Sequence, residues 1–425
     1  MEFKIEDAIQ KPITQAWLAN ALPLLIAAGV GGVIGFGAWG EGRMPFLAAL
    51  LPFAIGISGS RGRAFVMGLA YVLATERAGP GFMAAWFDGS VLTSAVLWLG
   101  SGVVGGLAWS LGWTASSVPW RKAAASVLAW VVTLLPPVAV VVMGHPLIAW
   151  GSIMQGTGWF GVLSSVAVPA FFMWNFAKSP WTLRTMTLLF IPVAGAVVGV
   201  SVYAYNASEN RVVGDIVAVS TNWGSAKDEW EILERIERIG RINDRFAQES
   251  DVRVIIYPEA VLQRYDPALY RVLKMEIIDA AARAGQTIVL GADLPTKSGN
   301  LESGAIAFYP EGKTATAIAR QTVPFALWKP WQASDSFLTD WTASNILRLR
   351  DGVTARVIFC YEEYIPLLSL INEAKDAHNI VVVMANTWAS KNKLGATIQS
   401  RHSEGIANLF GKRLLRAENR PKNGE

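Results

Sequence analysis

Apolar and polar positions divide this chain into two parts of different character. From about residue 14 to residue 204 charges are rare and long apolar runs follow one another, whereas beyond residue 206 the mixture is that of an ordinary soluble domain. A helix that spans a bilayer needs roughly 20 predominantly apolar residues. The runs predict about seven spans, at 15–38, 44–59, 64–76, 91–112, 122–143, 158–178 and 183–203.

Positive charges predict the orientation of these helices, because cytoplasmic loops of membrane proteins are enriched in Lys and Arg. With a cytoplasmic N-terminus, the inner segments carry Lys4, Lys11, Arg61, Arg63, Arg121, Lys122, Lys178 and Arg184. The outer loops carry Arg43 and Arg77. An odd number of spans then places everything after residue 204 on the far side of the membrane, the periplasm of a Gram-negative cell. The spans hold almost no ionisable residues, which disfavours a transporter or channel.

The second part alternates short β-branched runs with amphipathic helices after a linker at 206–211. Strands are predicted at 212–219, 252–257, 287–290, 305–309, 314–318, 356–360, 380–385 and 414–417. Helices are predicted at 228–246, 269–282, 366–374 and 398–411. Nearly continuous apolar strands indicate a sheet that is buried on both faces, and the alternation with helices indicates α/β layering.

Composition excludes several kinds of site. Hydrophobic residues make up 52% of the chain and charged residues 16%, against about 25% charged residues in soluble domains. The net charge of +4 is small and scattered, which argues against nucleic acid binding. One cysteine rules out an intrachain disulfide and any multi-cysteine metal site, and the three histidines lie far apart. We therefore predict neither a metal site nor a cofactor.

Two strands end in reactive side chains. The stretch RVIIYPEA leads into Glu259, and RVIFCYEE leads into Cys360, the single cysteine. Catalytic groups in α/β folds collect at the carboxyl ends of strands, so a Glu and a Cys at neighbouring strand ends would supply a general base and a thiol nucleophile. Taken alone, a single cysteine at a strand end is most often a small buried hydrophobe, and Glu259 is compatible with a carboxylate at a helix N-terminus.

Four short motifs together carry a resemblance to a known family. They are Tyr257-Pro-Glu-Ala260, Val323-Pro-Phe325, Cys360-Tyr-Glu362 and Asn386-Thr-Trp388. In this order, after a block of membrane helices, they resemble the apolipoprotein N-acyltransferases of the nitrilase (carbon-nitrogen hydrolase) superfamily. The overall layout is most similar to a conjugal-transfer branch of that superfamily, of the rhizobial and agrobacterial plasmid type. The resemblance covers nearly the whole chain and is best from 250 to 417.

The resemblance implies a fold and a set of roles. The expected architecture is an α-helical membrane domain at 1–205, followed at 206–425 by a periplasmic nitrilase-like αββα sandwich. A Glu–Lys–Cys triad in that family transfers an acyl group through a thioester. Glu259 matches its glutamate and Cys360 its nucleophile. Tyr361 and Glu362 match the tyrosine and the supporting glutamate beside the nucleophile.

The chain departs from the family at the lysine. Ala319 occupies the lysine position, and Leu327 occupies the position of a functional glutamate. Arg320 and Lys329 are the candidate replacements, although strand alternation places Arg320 on the opposite face. The candidate substrate-contacting residues are the aromatic side chains in or beside these motifs, Phe325, Trp328 and Trp388.

Two hypotheses on function follow. The first is an inner-membrane, multi-pass enzyme of conjugal plasmid transfer that forms a thioester at Cys360, of acyltransferase or amidase type. Its expected partners are membrane phospholipid and a lipoprotein or a pilus or mating-pair component, with no nucleic acid. The second is a catalytically impaired, accessory or structural component of the envelope transfer apparatus, which the loss of the lysine favours.

Overall fold

The structure is a computed structural model that describes residues 13–87, 89–177, 214–390 and 393–422. The predicted seventh span at 183–203 and the predicted linker at 206–211 lie outside the described residues. The same holds for four of the charges used to predict orientation, Lys4, Lys11, Lys178 and Arg184.

The first part of the chain is helical, as its apolar runs predict. Its helices are α1 (Ile13–Ala38), α2 (Leu51–Gly56, preceded by a 3₁₀ turn at Pro45–Leu50), α3 (Arg61–Thr75), α4 (Gly79–Ala84), α5 (Val91–Ser110), α6 (Pro119–Leu134), α7 (Val138–Val141), α8 (Leu147–Ile153) and α9 (Trp159–Phe176). Three described helical segments are long and apolar enough to cross a membrane, Ala21–Ala38, Val91–Ser110 and Trp159–Phe176. The predicted total of seven spans is therefore not confirmed, because the helices found at 44–59, 64–76 and 122–143 are shorter than the roughly 20 residues that a span needs.

Small residues bring two of these helices together. A Cβ added at Gly31 of α1 would lie 2.0 Å from the carbonyl oxygen of Met67 in α3. A Cβ at Gly35, one turn further on, would lie 2.4 Å from the carbonyl oxygen of Tyr71. Glycine at four-residue spacing lets helix backbones approach closely, which is a common packing device in membrane helices.

The second part of the chain contains nine described strands. They are β1 (Ile216–Ala218), β2 (Val254–Ile256), β3 (Thr287–Pro295), β4 (Leu301–Phe308), β5 (Thr314–Ile318), β6 (Ile346–Arg350), β7 (Val353–Phe359), β8 (Ile380–Asn386) and β9 (Arg413–Asn419). Its helices are α10 (Glu229–Glu249), α11 (Pro267–Leu273, continued by a π turn to Ile278), α12 (Asp279–Arg283), α13 (Pro366–Lys375) and α14 (Lys393–Leu409). The sequence prediction missed β6 because that strand alternates Leu with Arg.

The strands form two sheets. The first has the order β1-β2-β3-β4-β5 and the second the order β6-β7-β8-β9. β1, β2 and β3 run parallel, as do β7, β8 and β9, whereas β4, β5 and β6 pair antiparallel with their neighbours. Consequently Glu259, which follows β2, and Cys360, which follows β7, lie at the ends of strands in different sheets. The sequence-based expectation of neighbouring strand ends is wrong in this respect.

The two sheets pack face to face between layers of helix. A buried core between them draws on both, for instance on Val254 and Val289 of the first sheet and on Val357 and Val382 of the second. A second core lies between the first sheet and α10 to α12. A third lies on the outer face of the second sheet, where Ala407 of α14 contributes. The layers are therefore helix, sheet, sheet and helix, in agreement with the expected sandwich.

The helical part packs directly against α14. A Cβ at Gly151 in α8 would lie 1.8 Å from the carbonyl oxygen of Gly405, so the two backbones touch there. The backbone N–H of Gly144 donates to Nε2 of His402 at 2.9 Å. The His402 ring also stacks on Trp39, the residue after α1, with 4.4 Å between the ring centroids. These contacts hold α14 in place, and α14 in turn contacts the turn that contains Cys360.

Candidate active site

Cys360 lies where β7 turns sharply into a short 3₁₀ turn at Cys360–Tyr364. Its φ is +25°, a conformation that non-glycine residues rarely adopt. Such strained positions occur where a fold fixes a side chain for function. The Sγ atom contacts the carbonyl oxygen of Asn386 at 3.7 Å and the side-chain nitrogen of Gln399 at 3.6 Å. Gln399 also donates to the Cys360 carbonyl at 3.0 Å, which fixes the turn.

Cys360 and Glu259 line one cavity of about 280 Å³, which we call the polar cavity. Its lining comes from both sheets and from the helical part. The residues are Trp86, Gly224, Ser225, Ala226, Arg235, Glu259, Ala260, Gln263, Arg264, Asp293, Ser303, Gln321, Thr322, Val323, Leu327, Phe337, Phe359, Cys360, Tyr361, Asn386 and Trp388.

Glu259 is buried beside the β3 backbone. A Cβ at Gly291 of β3 would lie 2.6 Å from the Glu259 Cα, so glycine is needed there for this approach. The carboxylate accepts a hydrogen bond from the Ser303 hydroxyl at 2.9 Å. Burial raises the pKa of Glu259 to about 8, with Asp293 adding to the rise, while hydrogen bonds from Ser303 and Cys360 oppose it. Glu259 is therefore mostly protonated at neutral pH and becomes a competent base near pH 8.

The thiol of Cys360 is also neutral in this environment. Burial raises its pKa well above the ordinary value, and the charge of Glu259 adds to that effect. A neutral thiol is a poor nucleophile, so its reaction depends on a base that removes the proton during attack. Glu259 lines the same cavity as the thiol, which suits it to that role.

Glu362 connects the turn to the segment after β5. Its carboxylate accepts backbone N–H groups of Phe359 at 3.0 Å and Gln321 at 3.1 Å, and also that of Arg320. Burial raises its pKa to about 7, although these backbone donors oppose the rise. Glu362 does not line the polar cavity. Its contacts are those of a positioning residue.

Sequence reasoning missed a buried ion pair directly behind the cysteine. Glu363 accepts from the Arg416 guanidinium at 2.5 Å, from the Ser403 hydroxyl at 2.6 Å and from Gln399 at 2.7 Å. Because Gln399 also contacts Cys360, this cluster extends to the nucleophile. The partners of Glu363 are distant along the chain, so no local pattern in the sequence predicts this cluster.

The structure places neither candidate for the missing positive charge in the polar cavity. The Arg320 guanidinium donates to the Ala343 carbonyl at 2.8 Å and to Asn372, and it lies 3.9 Å from the Asp376 carboxylate. It points to the face that strand alternation predicts, away from Cys360. Lys329 is half-buried outside the lining, and its backbone N–H donates to Ser336 at 2.9 Å.

The three aromatic candidates have different positions. Trp388 lines the polar cavity and lies against Trp86, with 5.5 Å between the ring centroids. Phe325 lines a second cavity and stacks on Trp331 at 6.0 Å. Trp328 lines neither of these two cavities, so its expected substrate contact is not supported by this geometry.

The second cavity, of about 390 Å³, is almost entirely apolar, and we call it the apolar cavity. Trp86, Val323 and Tyr361 line both cavities, so the two adjoin. The Tyr361 hydroxyl donates to the Val140 carbonyl at 2.5 Å, which fixes the ring at this boundary. The lining consists of Phe82, Met83, Trp86, Phe87, Val96, Leu97, Gly100, Ser101, Val104, Val141, Met143, Val323, Pro324, Phe325, Tyr361 and Tyr364.

Two residues near Glu259 were not identified from the sequence. Asp293 follows the apolar run of β3, so the strand-end argument that selected Glu259 would also have selected it. Burial raises the pKa of Asp293 to about 6. Ser303 carries no comparable signal, because a serine within a strand has no distinctive pattern.

These two neighbours should shift the pKa of Glu259 in opposite directions. Ser303→Ala removes a hydrogen bond to the carboxylate, so the pKa of Glu259 should rise. Asp293→Asn removes a like charge, which is ionised at pH 8, so the pKa should fall. We expect the midpoint of the pH dependence of Cys360 modification by methyl methanethiosulfonate to move up in the first variant and down in the second. Shifts of the midpoint in the same direction would contradict the assignment of Glu259 as the base that activates Cys360.

Comparison with known proteins identifies relatives of nearly full length. The probable conjugal transfer protein TraB of Sinorhizobium fredii is 25% identical over 408 residues, covering 92% of this chain and 96% of that protein. The conjugal transfer protein TraB of Agrobacterium fabrum is 23% identical over 425 residues, covering 94% of this chain and 92% of that protein. No family model matches the chain. The resemblance to conjugal-transfer proteins is thus confirmed along nearly the whole sequence.

Similar solved structures cover about half of this chain. A variant of an amidase of the nitrilase superfamily from Nesterenkonia is 14% identical with a TM-score of 0.35, over 48% of this chain and 76% of that protein. A carbon-nitrogen hydrolase from Helicobacter pylori G27 is 13% identical with a TM-score of 0.34, over 48% of this chain and 72% of that protein.

Proposed function

We propose that this chain is a membrane-bound, cysteine-dependent enzyme of conjugal transfer that forms a thioester at Cys360 with a lipid acyl chain. The observation that carries the proposal is the shared cavity. A strained cysteine at a strand end and a buried glutamate with a pKa of about 8 line the same polar cavity, which adjoins an apolar one. The similarity to the TraB proteins supports the role in conjugal transfer.

The reaction follows from these two groups. Ionised Glu259 takes the thiol proton as Cys360 Sγ attacks the carbonyl carbon of an acyl ester, and the carbonyl electrons move onto oxygen. The tetrahedral species collapses, the carbon–oxygen bond to the alcohol breaks, and Glu259 returns the proton to the departing alkoxide. The products are a thioester and an alcohol. An acceptor amine or water then attacks the thioester and regenerates the thiol. An amide substrate would follow the same steps with an amine as leaving group.

The apolar cavity supports a lipid as the acyl donor. Its walls come from α4, α5 and the Val323–Phe325 loop, and α5 is one of the helices that could span a membrane. An acyl chain that entered beside α5 would place its carbonyl near Tyr361 and Cys360. We infer an inner-membrane location with the α/β part in the periplasm, on the basis of the positive-inside distribution.

A second candidate function is that of a non-catalytic envelope component. The absence of a lysine at position 319, where the chain has Ala319, favours it. The basic residues in the described lining of the polar cavity are Arg235 and Arg264. The Arg235 guanidinium is engaged by the carbonyls of Gly224 at 2.9 Å, Trp223 at 3.3 Å and Val261 at 3.4 Å, and Arg264 is exposed. Losing one preorganised oxyanion donor costs on the order of 10²–10³ in turnover.

The frequency of plasmid transfer distinguishes the enzymatic from the non-catalytic function. We expect Cys360→Ala to lower the transfer frequency to that of a strain without the gene, while the variant protein accumulates in membranes at the wild-type level. Thiol chemistry would be lost while the fold remains, because alanine fills nearly the same buried space. Transfer at the wild-type frequency would instead assign the chain a structural role. Immunoblotting of isolated membranes provides the control for protein level.

A further inference from the structure

Two hydrogen-bond donors are buried in the cavity walls without partners. They are the indole Nε1 of Trp86 and the hydroxyl of Thr322. Among the described residues that line the two cavities, these two have a buried side-chain nitrogen or oxygen atom that lacks a hydrogen-bond partner. Leaving a buried donor unsatisfied is costly, so such groups in native proteins call for an explanation, and a bound ligand is one.

Both donors lie close to the boundary between the cavities. Trp86 lines both of them, together with Val323 and Tyr361. Thr322 precedes Val323, is 4% exposed and lines the polar cavity with Cys360. The surrounding structure holds each donor in place. Trp86 packs against Trp388, and the Thr322 backbone is anchored at its carbonyl, which accepts from the Gln321 side chain at 2.9 Å.

The chemistry of the two groups defines their ligand. An indole N–H can only donate, and the unpartnered hydroxyl of Thr322 has a proton to donate. A ligand atom that satisfies both is therefore an acceptor, and a carbonyl oxygen is the acceptor that an acyl ester presents. The apolar cavity on one side suits the acyl chain, and Cys360 on the other suits the carbonyl carbon.

We propose that Trp86 Nε1 and Thr322 Oγ1 form an uncharged subsite for the carbonyl oxygen of an acyl ester and stabilise the oxyanion that forms on attack by Cys360. This inference rests on the proposed acyl transfer. As the Sγ–carbon bond forms, the carbonyl electrons pass to the oxygen held by the two donors. They return when the alkoxide leaves with the proton from Glu259. Two neutral donors thus take the place of the positive charge that Arg320 and Lys329 do not bring to the cavity.

The subsite is incomplete without the helical part of the chain. Trp86 follows α4, whereas Thr322 belongs to the segment after β5. A subsite built from both residues gives the helical part of the chain a direct part in the chemistry and ties the reaction to a substrate that is long enough to enter the apolar cavity.

The test uses full-length protein in nanodiscs with matched substitutions. Thr322→Val and Trp86→Phe each remove one donor and keep the approximate shape. Thr339→Val and Trp130→Phe remove the same kind of unpartnered buried donor outside both cavities. Thr322→Ser restores the hydroxyl. Two reactions at Cys360 are measured, acylation by p-nitrophenyl dodecanoate and disulfide formation with methyl methanethiosulfonate, which has no carbonyl group.

We expect each cavity variant to slow acylation on the order of 10²-fold and to leave the methanethiosulfonate reaction unchanged. The two control variants should match the wild type, and Thr322→Ser should recover most of the rate. Equal acylation rates in all variants, or a loss with Thr322→Val that Thr322→Ser does not reverse, would overturn the subsite.

A binding measurement keeps this test separate from the proposed function. In a Cys360→Ala background, dodecanamide presents a carbonyl oxygen and a chain but cannot react at residue 360. We expect Thr322→Val and Trp86→Phe to weaken its affinity by about two- to tenfold, with no change in the control variants. If Cys360 of the wild type is not acylated, the acyl-transfer function is contradicted. The affinities for dodecanamide would still test the subsite independently. Equal affinities throughout would overturn the subsite alone.

Discussion

Glu259→Gln should slow acylation of Cys360 by about 10²–10⁴-fold, the usual contribution of a general base. Glutamine keeps the size of the side chain and can still accept from Ser303, but it cannot take the thiol proton. The thiol of Cys360, whose pKa burial raises, would then react only through its small ionised fraction. The rate of nitrophenol release from p-nitrophenyl dodecanoate, in the first turnover of the full-length protein, measures the effect.

The pH dependence of the same reaction tests whether Glu259 acts as the general base. Because the ionised form of Glu259 is required and its pKa is about 8, the wild-type rate should rise from pH 6 upward, reach half of its maximum near pH 8 and level off only at higher pH. In Glu259→Gln this rise should be absent, and the rate should increase only as the thiol itself ionises. Glu311→Gln, in an exposed turn of the same domain, is the matched control. A wild-type rate that is independent of pH in this range would contradict the role of Glu259.

Arg416→Leu should lower the free energy of unfolding by about 3–5 kcal/mol, because it leaves the buried Glu363 without its cation. Glu363 is completely buried and Arg416 is 15% exposed. Burial already raises the pKa of Glu363 against the opposing charge of Arg416, so removing the arginine should lead to its protonation. Denaturation in mixed detergent micelles, followed by circular dichroism, measures the loss.

Two further variants test this prediction. Arg416→Leu combined with Glu363→Gln should recover most of the lost stability, since the uncompensated buried charge is gone and an acceptor for Ser403 and Gln399 remains. Arg348→Leu removes an arginine from an exposed pair with Asp351 and should leave the stability unchanged. A double variant that is as unstable as Arg416→Leu would mean that packing, rather than charge, accounts for the loss.

The strand-end argument selected, for a physical reason, two residues that the structure brings to one cavity. Strands buried on both faces give a clear apolar signal, and the first polar residue after each strand lies at an edge of its sheet. Glu259 and Cys360 were found in this way. Their meeting across two sheets was not derivable from local pattern, because it depends on how the sheets face one another.

The remaining parts of the site rest on long-range contacts. Trp86 and Thr322 line the same polar cavity because the helical part packs on the α/β part. Glu363 and Arg416, which form an ion pair, are separated along the sequence by two helices and a strand. Arg320 lies two residues beyond the end of β5, and alternation continued from that strand predicted a side chain that points away from the cavity, where the guanidinium contacts Ala343 and Asn372. Local periodicity predicted the direction of a side chain but not its partners.

The number of spans illustrates the same limit. Apolar runs predict helices well, and helices occur at the first six predicted positions. Run length overstates helix length where proline or glycine ends the helix early, as after Leu134 and after Gly56. Three described segments reach spanning length, and the predicted orientation depends on the total number of spans, which includes the one predicted at 183–203.

The intact mass of the chain purified from native membranes, beside a Cys360→Ser variant, tests the central claim most directly. Acyl transfer through a thioester predicts an acyl-sized adduct on the wild type that is absent from the variant and is removed by hydroxylamine. An unmodified mass in both proteins, together with slow alkylation of Cys360 at pH 8 and above, would contradict the thioester and assign this chain a structural part in conjugal transfer.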